Sequence, residues 1–196
     1  GPKGLRKFDG TSWTIYDTEN SPLPTNHVVY LCFDLEGNLL VSTLPDRGDK
    51  GVVMKFDGNN WKKLYECQLP GNWIPSMAIA PDGTVWLAEL NRESVGPDSG
   101  GGIWRYDGKQ WDNYTVNNSS LPSNSVVELW LDASENLWIG SYGGGLSRFS
   151  KNGEWFSLDP ENSPLPSTNS VEHIRVSSEQ DIWFAVQFHG LVKLKL

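Results

Sequence analysis

The fold is decided by a short stretch, FDGTSW at residues 8–13, which returns as FDGNNW at 56–61, YDGKQW at 106–111 and FSKNGEW at 149–155. The copies begin at intervals of 48, 50 and 43 residues. Each places an aromatic residue before a short glycine-containing turn and a tryptophan after it, which is the pattern of a β-hairpin. The period indicates an array of similar structural units.

Longer hairpins lie between and after these copies. Each joins a mostly apolar strand through a polar turn to a second strand: HVVYLCFDLEGNLLVST (27–43), PSMAIAPDGTVWLAE (75–89), SVVELWLDASENLWIGS (125–141) and SVEHIRVSSEQDIWFAV (170–186). Three of the four follow a Pro- and Asn-containing loop, namely SPLPTNHV (21–28), SSLPSNSV (119–126) and SPLPSTNSV (163–171). Together the two kinds of hairpin supply four strands, A to D, in each repeat.

An antiparallel meander of four strands over about 45 residues has the size of a β-propeller blade. We therefore predict an all-β chain, a β-propeller of four-stranded antiparallel blades, with about four blades here. The repeats are expected at residues 4–17, 18–67, 68–115, 116–158 and 159–196, in one domain or part-propeller spanning 1–196. The tryptophans that recur at one repeat position are expected to pack between strands and blades.

The order NSxLPSNSV, DxxxNLWIGS, GGGLSRF and a turn ending in EW, complete in residues 118–155, resembles the two-component regulator propeller repeat. The second copy departs most, with QLPGNWIPS in place of the Pro–Asn loop and NRESVGPDSGGG (91–102) inserted between strands B and C. The resemblance implies a sensor propeller of a bacterial hybrid two-component system, located in the periplasm or outside the cell. It also implies recognition of polysaccharide breakdown products and no catalytic residue.

The charge pattern argues against nucleic acid and anionic membranes as partners. Aspartate and glutamate number 24 against 16 lysines and arginines, and no basic cluster is interleaved with aromatic residues. No run is long and apolar enough for a membrane-spanning helix, so we expect no membrane contact by this segment. Gly1-Pro2 resembles the scar of a cleaved tag, which would leave any export signal outside this sequence.

The two ends raise the question of ring closure. The sequence starts with strands C and D and ends with A, B and C, and the final GLVKLKL repeats the position of the early GLRKF. A closed four-blade ring would make residues 1–10 redundant, which favours a fragment of a larger propeller over a small ring. The apolar faces of an open arc are expected to pair with another copy, giving a homodimer.

A binding site is expected where the variable loops gather. Strand alternation puts the D-to-A and B-to-C loops at one end and the short regular turns at the other. Long loops on a rigid scaffold commonly carry binding residues. The predicted ligand-binding residues are Arg47, Trp73, Arg92, Glu93, Tyr142, Gln187 and His189, with the two aromatic rings stacking on a sugar.

The predicted function is therefore non-enzymatic binding of a small molecule or oligosaccharide, without metal or cofactor. A protein-interaction scaffold is the alternative. A propeller lyase or hydrolase, with His189 reaching Asp46 or Glu93, is less favoured because the three histidines are scattered and show no zinc-binding spacing. Cys32 and Cys67 fall three strands apart in one blade, too far for a disulfide, and are expected to be free thiols.

Overall fold

The computed structural model describes residues 3–94, 96, 99–158, 161–163, 165, 170–177 and 181–195. These residues form seventeen β-strands, and none of them lies in a helix. They divide into two compact units, and the boundary along the chain lies between Pro75 and Ser76. Within each unit every strand pair with a described register is antiparallel, as predicted.

The first unit holds a two-stranded hairpin and one complete blade. The hairpin is β1 (Leu5–Phe8) and β2 (Trp13–Tyr16). Blade 1 has the order β3-β4-β5-β6, with β3 (Val28–Phe33), β4 (Leu39–Thr43), β5 (Val52–Phe56) and β6 (Trp61–Glu66). Strand β7 (Asn72–Ile79) begins in this unit and continues into the second.

The second unit holds the remaining blades. Blade 2 is β7 with β8 (Val85–Asn91), β9 (Gly102–Tyr106) and β10 (Trp111–Tyr114). Blade 3 is β11 (Val126–Leu131), β12 (Leu137–Ser141), β13 (Gly145–Phe149) and β14 (Trp155–Leu158). The three-stranded blade 4 is β15 (Val171–Val176), β16 (Ile182–Val186) and β17 (Gly190–Leu194). This confirms the all-β fold and the four-stranded blades, whereas the exact repeat boundaries and the single domain stay predictions.

Aspartate side chains build the recurring tight turns. In the FDGNNW turn, Asp57 Oδ1 accepts the N–H groups of Asn59 at 2.8 Å and Asn60 at 2.7 Å. Gly58 has φ 100°, a conformation that glycine adopts without steric cost. Asp9 and Asp107 each accept the N–H groups of the residues two and three positions later in their own turns. The recurring aspartate in these turns therefore reflects the local hydrogen bonds that each turn needs.

The apolar cores of the second unit lie between neighbouring blades. Trp86, Leu129 and Ile139 belong to the core between blades 2 and 3, and Trp138, Ile174 and Phe184 to the core between blades 3 and 4. The packing role predicted for the strand B tryptophans is confirmed for Trp86 and Trp138.

Two other tryptophans are more exposed than predicted. Trp183 is 38% exposed, with Lys193 Nζ 5.3 Å from its ring centroid. Trp13 is 64% exposed and lies against Phe8, with ring centroids 4.9 Å apart. Both belong to the smaller sheets, which have two and three strands.

Cys32 and Cys67 are not joined by a disulfide, as predicted. Cys32 lies in β3 and Cys67 directly follows β6, at opposite edges of the four-stranded blade 1. Burial, aided by the nearby Asp34 carboxylate, raises the pKa of the Cys32 thiol to about 12.

Candidate functional site

The B-to-C and D-to-A loops meet at one end of the second unit. Ser123, in the D-to-A loop before blade 3, donates its hydroxyl to Tyr142 O in the B-to-C loop at 2.7 Å. Tyr142 N–H donates to Ser125 O at 2.9 Å, and Tyr142 forms an isolated β-bridge with Ser170 of blade 4. The predicted common face of these loops is confirmed here, and we call it the loop end.

The long B-to-C connection of blade 2, of which the structure describes residues 92–94, 96 and 99–101, contacts blade 3; we call it the insert. Ser125 Oγ lies 2.6 Å from Gly96 O and 2.8 Å from Ser99 O, so its single hydrogen is shared between these two carbonyl groups. At the end of the insert, Gly101 N–H donates to Glu89 O at 3.0 Å. A Cβ atom at residue 101 would overlap the Glu89 side chain, so glycine allows the insert to lie directly on this buried carboxylate.

Two of the predicted binding residues, Tyr142 and Gln187, are brought together at the loop end. Both are half-buried, and both are joined to Ser170: Tyr142 through the β-bridge, and Gln187 by donating its N–H to Ser170 O at 2.9 Å. His189 is exposed in the same turn as Gln187, where its N–H donates to Val186 O at 3.0 Å. Arg92 and Glu93 are exposed on the insert.

The other two predicted residues belong to the first unit. Arg47 is exposed in the connection between β4 and β5. Trp73 was expected in a loop, but it is half-buried near the start of β7. Gly51 N–H donates to Asn72 O at 2.8 Å, and a Cβ at Gly51 would lie 2.7 Å from Trp73 Cα. The structure therefore has a strand at Trp73, where the sequence indicated a loop.

Phe188 at the loop end combines high exposure with a positive φ, and it was not among the predicted binding residues. It is 92% exposed and has φ 63°. It occupies the third position of the turn closed by the His189 N–H to Val186 O hydrogen bond, where a positive φ favours glycine. The corresponding turn of blade 3 has Gly143 there, with φ 70°. A left-handed conformation costs a residue with a side chain about 1–2 kcal/mol, and an exposed ring gains little packing to offset that cost.

A charged cluster lies on the inner strands of blades 2, 3 and 4. Glu128 in β11 has a side chain only 8% exposed, and Arg175 Nη1 donates to its Oε1 at 3.0 Å. The Arg175 guanidinium lies 4.5 Å from the centre of the Trp130 ring. Burial raises the pKa of the Glu128 carboxyl, although Arg175, His173 and Ser76 oppose the shift. The sequence pattern did not predict this group, because a β-bulge between Val126 and Glu128 changes which face the carboxylate occupies.

A groove of about 400 Å³ lies at the opposite end, between the short turns of blades 2 and 3. Its aromatic wall consists of Trp86, Tyr114 and Phe149, and Lys151 and Glu135 form an ion pair at its rim. The Trp86 ring centroid is 5.7 Å from that of Phe149 and 5.9 Å from that of Tyr114. Because these rings pack mainly against one another, we regard this groove as a seam between blades and place the candidate site at the loop end.

Among the residues that the structure describes, no helix is long and apolar enough to cross a membrane. No group of three or more His, Cys, Asp or Glu side chains in the same residues is arranged to hold a metal ion.

Comparisons with known structures establish the fold. The extracellular domain of BT3049 from B. thetaiotaomicron, assigned to a hybrid two component system, matches with a TM-score of 0.69 and 18% identity over 94% of this chain and 24% of its own. The chain has a β-propeller fold. Virginiamycin B lyase from Staphylococcus aureus matches with a TM-score of 0.64 and 16% identity over 94% of this chain and 60% of its own. The gluconolactonase XC5397 from Xanthomonas campestris matches with a TM-score of 0.63 and 16% identity over 100% and 66%.

Two of these proteins are named as enzymes and the other as an extracellular domain, and the present chain spans less than two thirds of each. No family model and no curated protein matches the chain. The resemblance to the two-component regulator repeat therefore stays a prediction at the level of the family.

Proposed function

We propose that this chain is a non-enzymatic ligand-binding part of an extracytoplasmic sensor and that its loop end recognises a carbohydrate. The observation that carries the proposal is Phe188, an exposed aromatic ring held at a positive φ in a turn whose counterpart uses glycine. Backbone strain of this kind clusters at functional sites, and an exposed aromatic face is suited to stacking on a sugar ring.

Neighbouring groups complete a surface with the chemistry of a sugar site. Tyr142 and Gln187 are half-buried beside Ser170, and His189 follows Phe188 at the tip of the turn. The amide, imidazole and phenol groups can exchange hydrogen bonds with sugar hydroxyls, while the aromatic rings cover apolar ring faces. The similarity of the fold to the extracellular domain of BT3049 supports the sensor role and the location outside the cytoplasm.

Isothermal titration calorimetry tests the proposal. The full chain is titrated with maltotriose, cellotriose, xylotriose, mannotriose and digalacturonic acid. We expect heat from at least one of these probes, and at least a tenfold weaker affinity for it in Phe188→Gly. Absence of heat from every probe would count against carbohydrate recognition.

A second candidate function rests on Glu128. A buried carboxyl with a raised pKa beside an arginine can act as a general acid or base, and the fold is shared with a gluconolactonase and a lyase. Incubation with glucono-1,5-lactone, followed by pH-stat titration, tests hydrolysis. Turnover that Glu128→Gln abolishes would support an enzyme, and a rate equal to that without protein would remove this candidate for that substrate.

A further inference from the structure

One position of strand C carries a positive charge in each of the four blades. It is the residue that lies opposite the strand B tryptophan, or opposite Leu40 in blade 1. The four residues are Lys55, Arg105, Arg148 and Lys193. Because directly paired residues of antiparallel strands point to the same face of a sheet, these four side chains occupy equivalent places in their blades.

Three of the four cations have a carboxylate partner within their own blade. The N···O distances are 2.8 Å for Lys55 and Asp34, 3.3 Å for Arg105 and Asp112, and 2.5 Å for Lys193 and Asp181. The partner comes from the A-to-B turn in blades 1 and 4 and from strand D in blade 2. An ion pair is therefore the usual state of this repeat position, although the blades build it from different residues.

Arg148 of blade 3 differs from the other three cations. Among the residues that the structure describes, no carboxylate forms an ion pair with it. Its contacts are aromatic instead: the guanidinium carbon lies 5.6 Å from the centre of the Trp138 ring and 5.4 Å from that of Phe156. Its Nε is buried and has no hydrogen-bond partner. The positive charge of Arg148 is thus without the negative partner that the equivalent residues have.

Phe156 occupies the place of the strand D carboxylate. In blade 2 Asp112 lies directly opposite Arg105, and in blade 3 Phe156 lies directly opposite Arg148. An aromatic face attracts a guanidinium only weakly at a partly exposed site, and it leaves the N–H groups without acceptors.

The A-to-B turn of blade 3 also withholds its carboxylate from the cation. Asp132 is the counterpart of Asp34, because each accepts the backbone N–H of the asparagine four residues later. Oδ2 of Asp132 accepts Trp138 Nε1–H and Asn136 Nδ2–H, both at 2.9 Å. Leu40 stands in place of this tryptophan in blade 1 and has no N–H to donate, so Asp34 remains available to the strand C cation.

A cavity of about 290 Å³ lies beside Arg148, between blades 3 and 4 near their short turns. Its lining includes the Arg148 side chain, Trp130 and the polar residues Ser134 and Asn136. Only Nε of the three guanidinium nitrogen atoms is buried without a partner, so the two terminal amino groups reach solvent. The groove between blades 2 and 3 differs in this respect, because the arginine in its lining, Arg105, is already paired.

We propose that this cavity binds a small carboxylate. The ligand carboxylate pairs with the terminal amino groups of Arg148, in place of the side chain that the other blades provide, and its apolar part lies against Trp130 and Val176. A single negative charge suits the cavity better than a dianion such as phosphate, because Asp132 also lines it. This site is separate from the loop end and does not depend on the proposed carbohydrate function.

A ¹H–¹⁵N NMR titration of the full chain with benzoate tests the site, and benzamide serves as the uncharged probe of the same size. We expect benzoate to shift the amide signals of residues 132–136 and 148 and to bind at least about fivefold more tightly than benzamide. Arg148→Gln should weaken benzoate binding about tenfold. The matched control Arg105→Gln should keep it within about twofold, because that cation already has a carboxylate partner.

A second pair of variants restores the partner that the other blades have. Phe156→Asp places a carboxylate opposite Arg148, as Asp112 lies opposite Arg105, and should weaken benzoate binding about tenfold by competing for the guanidinium. Phe156→Asn removes the same ring without adding a charge and should keep the affinity within about threefold. Phe156 is 40% exposed, so both substitutions should leave the blade folded.

Four results would overturn the proposal. They are an absence of benzoate shifts at these residues, equal affinities for benzoate and benzamide, unchanged binding in Arg148→Gln, and equal affinities of Phe156→Asp and Phe156→Asn. Inorganic phosphate that binds as tightly as benzoate would also overturn it, since the site would then take anions in general. The sugar titrations are independent of these outcomes, so failure here leaves the proposed function of the loop end standing.

Discussion

Phe188 and Gly143 occupy the same position of equivalent turns and share a left-handed backbone, with φ values of 63° and 70°. One blade thus follows the steric rule for this turn and the next departs from it. The departure places an aromatic ring in solvent at the loop end. Substitutions at Phe188 can therefore separate the effect of backbone strain on stability from the effect of the ring on binding.

Replacing Phe188 by glycine and by alanine should give variants of different stability but the same loss of binding. Phe188→Gly should be more stable than Phe188→Ala by about 1 kcal/mol, because only glycine adopts the positive φ without steric cost. Urea unfolding measures the difference. As a control, Gly143→Ala should lose at least about 1 kcal/mol relative to the unmodified chain. Equal stability of the two Phe188 variants would contradict the strained conformation.

The two strand B tryptophans of blades 3 and 4 should differ in their contribution to stability. Trp138 is fully buried and Trp183 is 38% exposed. Trp138→Ala should lower the free energy of unfolding by about 3–5 kcal/mol through the cavity it leaves. Trp183→Ala should cost less than half as much. Urea denaturation followed by far-ultraviolet circular dichroism measures both, and similar losses would argue that Trp183 is also covered in solution.

Asp132 should contribute more to stability than its counterpart in blade 1, Asp34. Asp132 Oδ2 accepts Trp138 Nε1–H at 2.9 Å, and its other oxygen accepts the N–H groups of Ser134 and Asn136. Asp132→Ala would leave the buried indole donor unpaired and should cost about 2–3 kcal/mol. Asp34 pairs with the half-exposed Lys55 instead, and Asp34→Ala should cost about 1 kcal/mol. Chemical unfolding of the two variants checks the order, and a larger loss for Asp34→Ala would contradict it.

The raised pKa of Glu128 predicts a specific pH dependence. Burial favours the protonated Glu128 carboxyl in the folded chain. The contribution of this protonated form to stability is therefore complete below the ordinary pKa of 4.5 and is lost as pH rises through the pKa of the folded state. Glu128→Gln resembles the protonated form and should remove this loss. The stability of Glu128→Gln relative to the unmodified chain should therefore be higher at pH 7 than at pH 4. Unfolding curves at both pH values measure it, and a difference that falls with rising pH would contradict the direction.

Local chemistry explains why the strands and turns could be predicted from the sequence. The Asp-Gly turns depend on hydrogen bonds within a few residues, as at Asp57, and the strands between them are mostly apolar. Features that depend on neighbouring segments were missed. Trp73 lies in β7, where Gly51 packs closely against its backbone, and Glu128 follows a β-bulge and pairs with an arginine of the next blade.

The position of the loop end could be predicted from the sequence, whereas Phe188 was not predicted as a binding residue. Strand alternation was sufficient to bring Tyr142 and Gln187 to a common face, and both meet at Ser170. Phe188 could have been found by aligning SYGGG with QFHG, which puts phenylalanine in the place of a glycine. Its backbone conformation and its exposure could be seen only in the structure.

The most direct test of the central claim is a ¹H–¹⁵N NMR titration of the full chain with the sugar that gives heat in calorimetry. We expect the shifted amide signals to concentrate at Tyr142, Ser170 and residues 187–189. Shifts concentrated instead around Trp86, Arg105 and residues 151–153, in the groove at the short-turn end, would contradict the placement of the binding site.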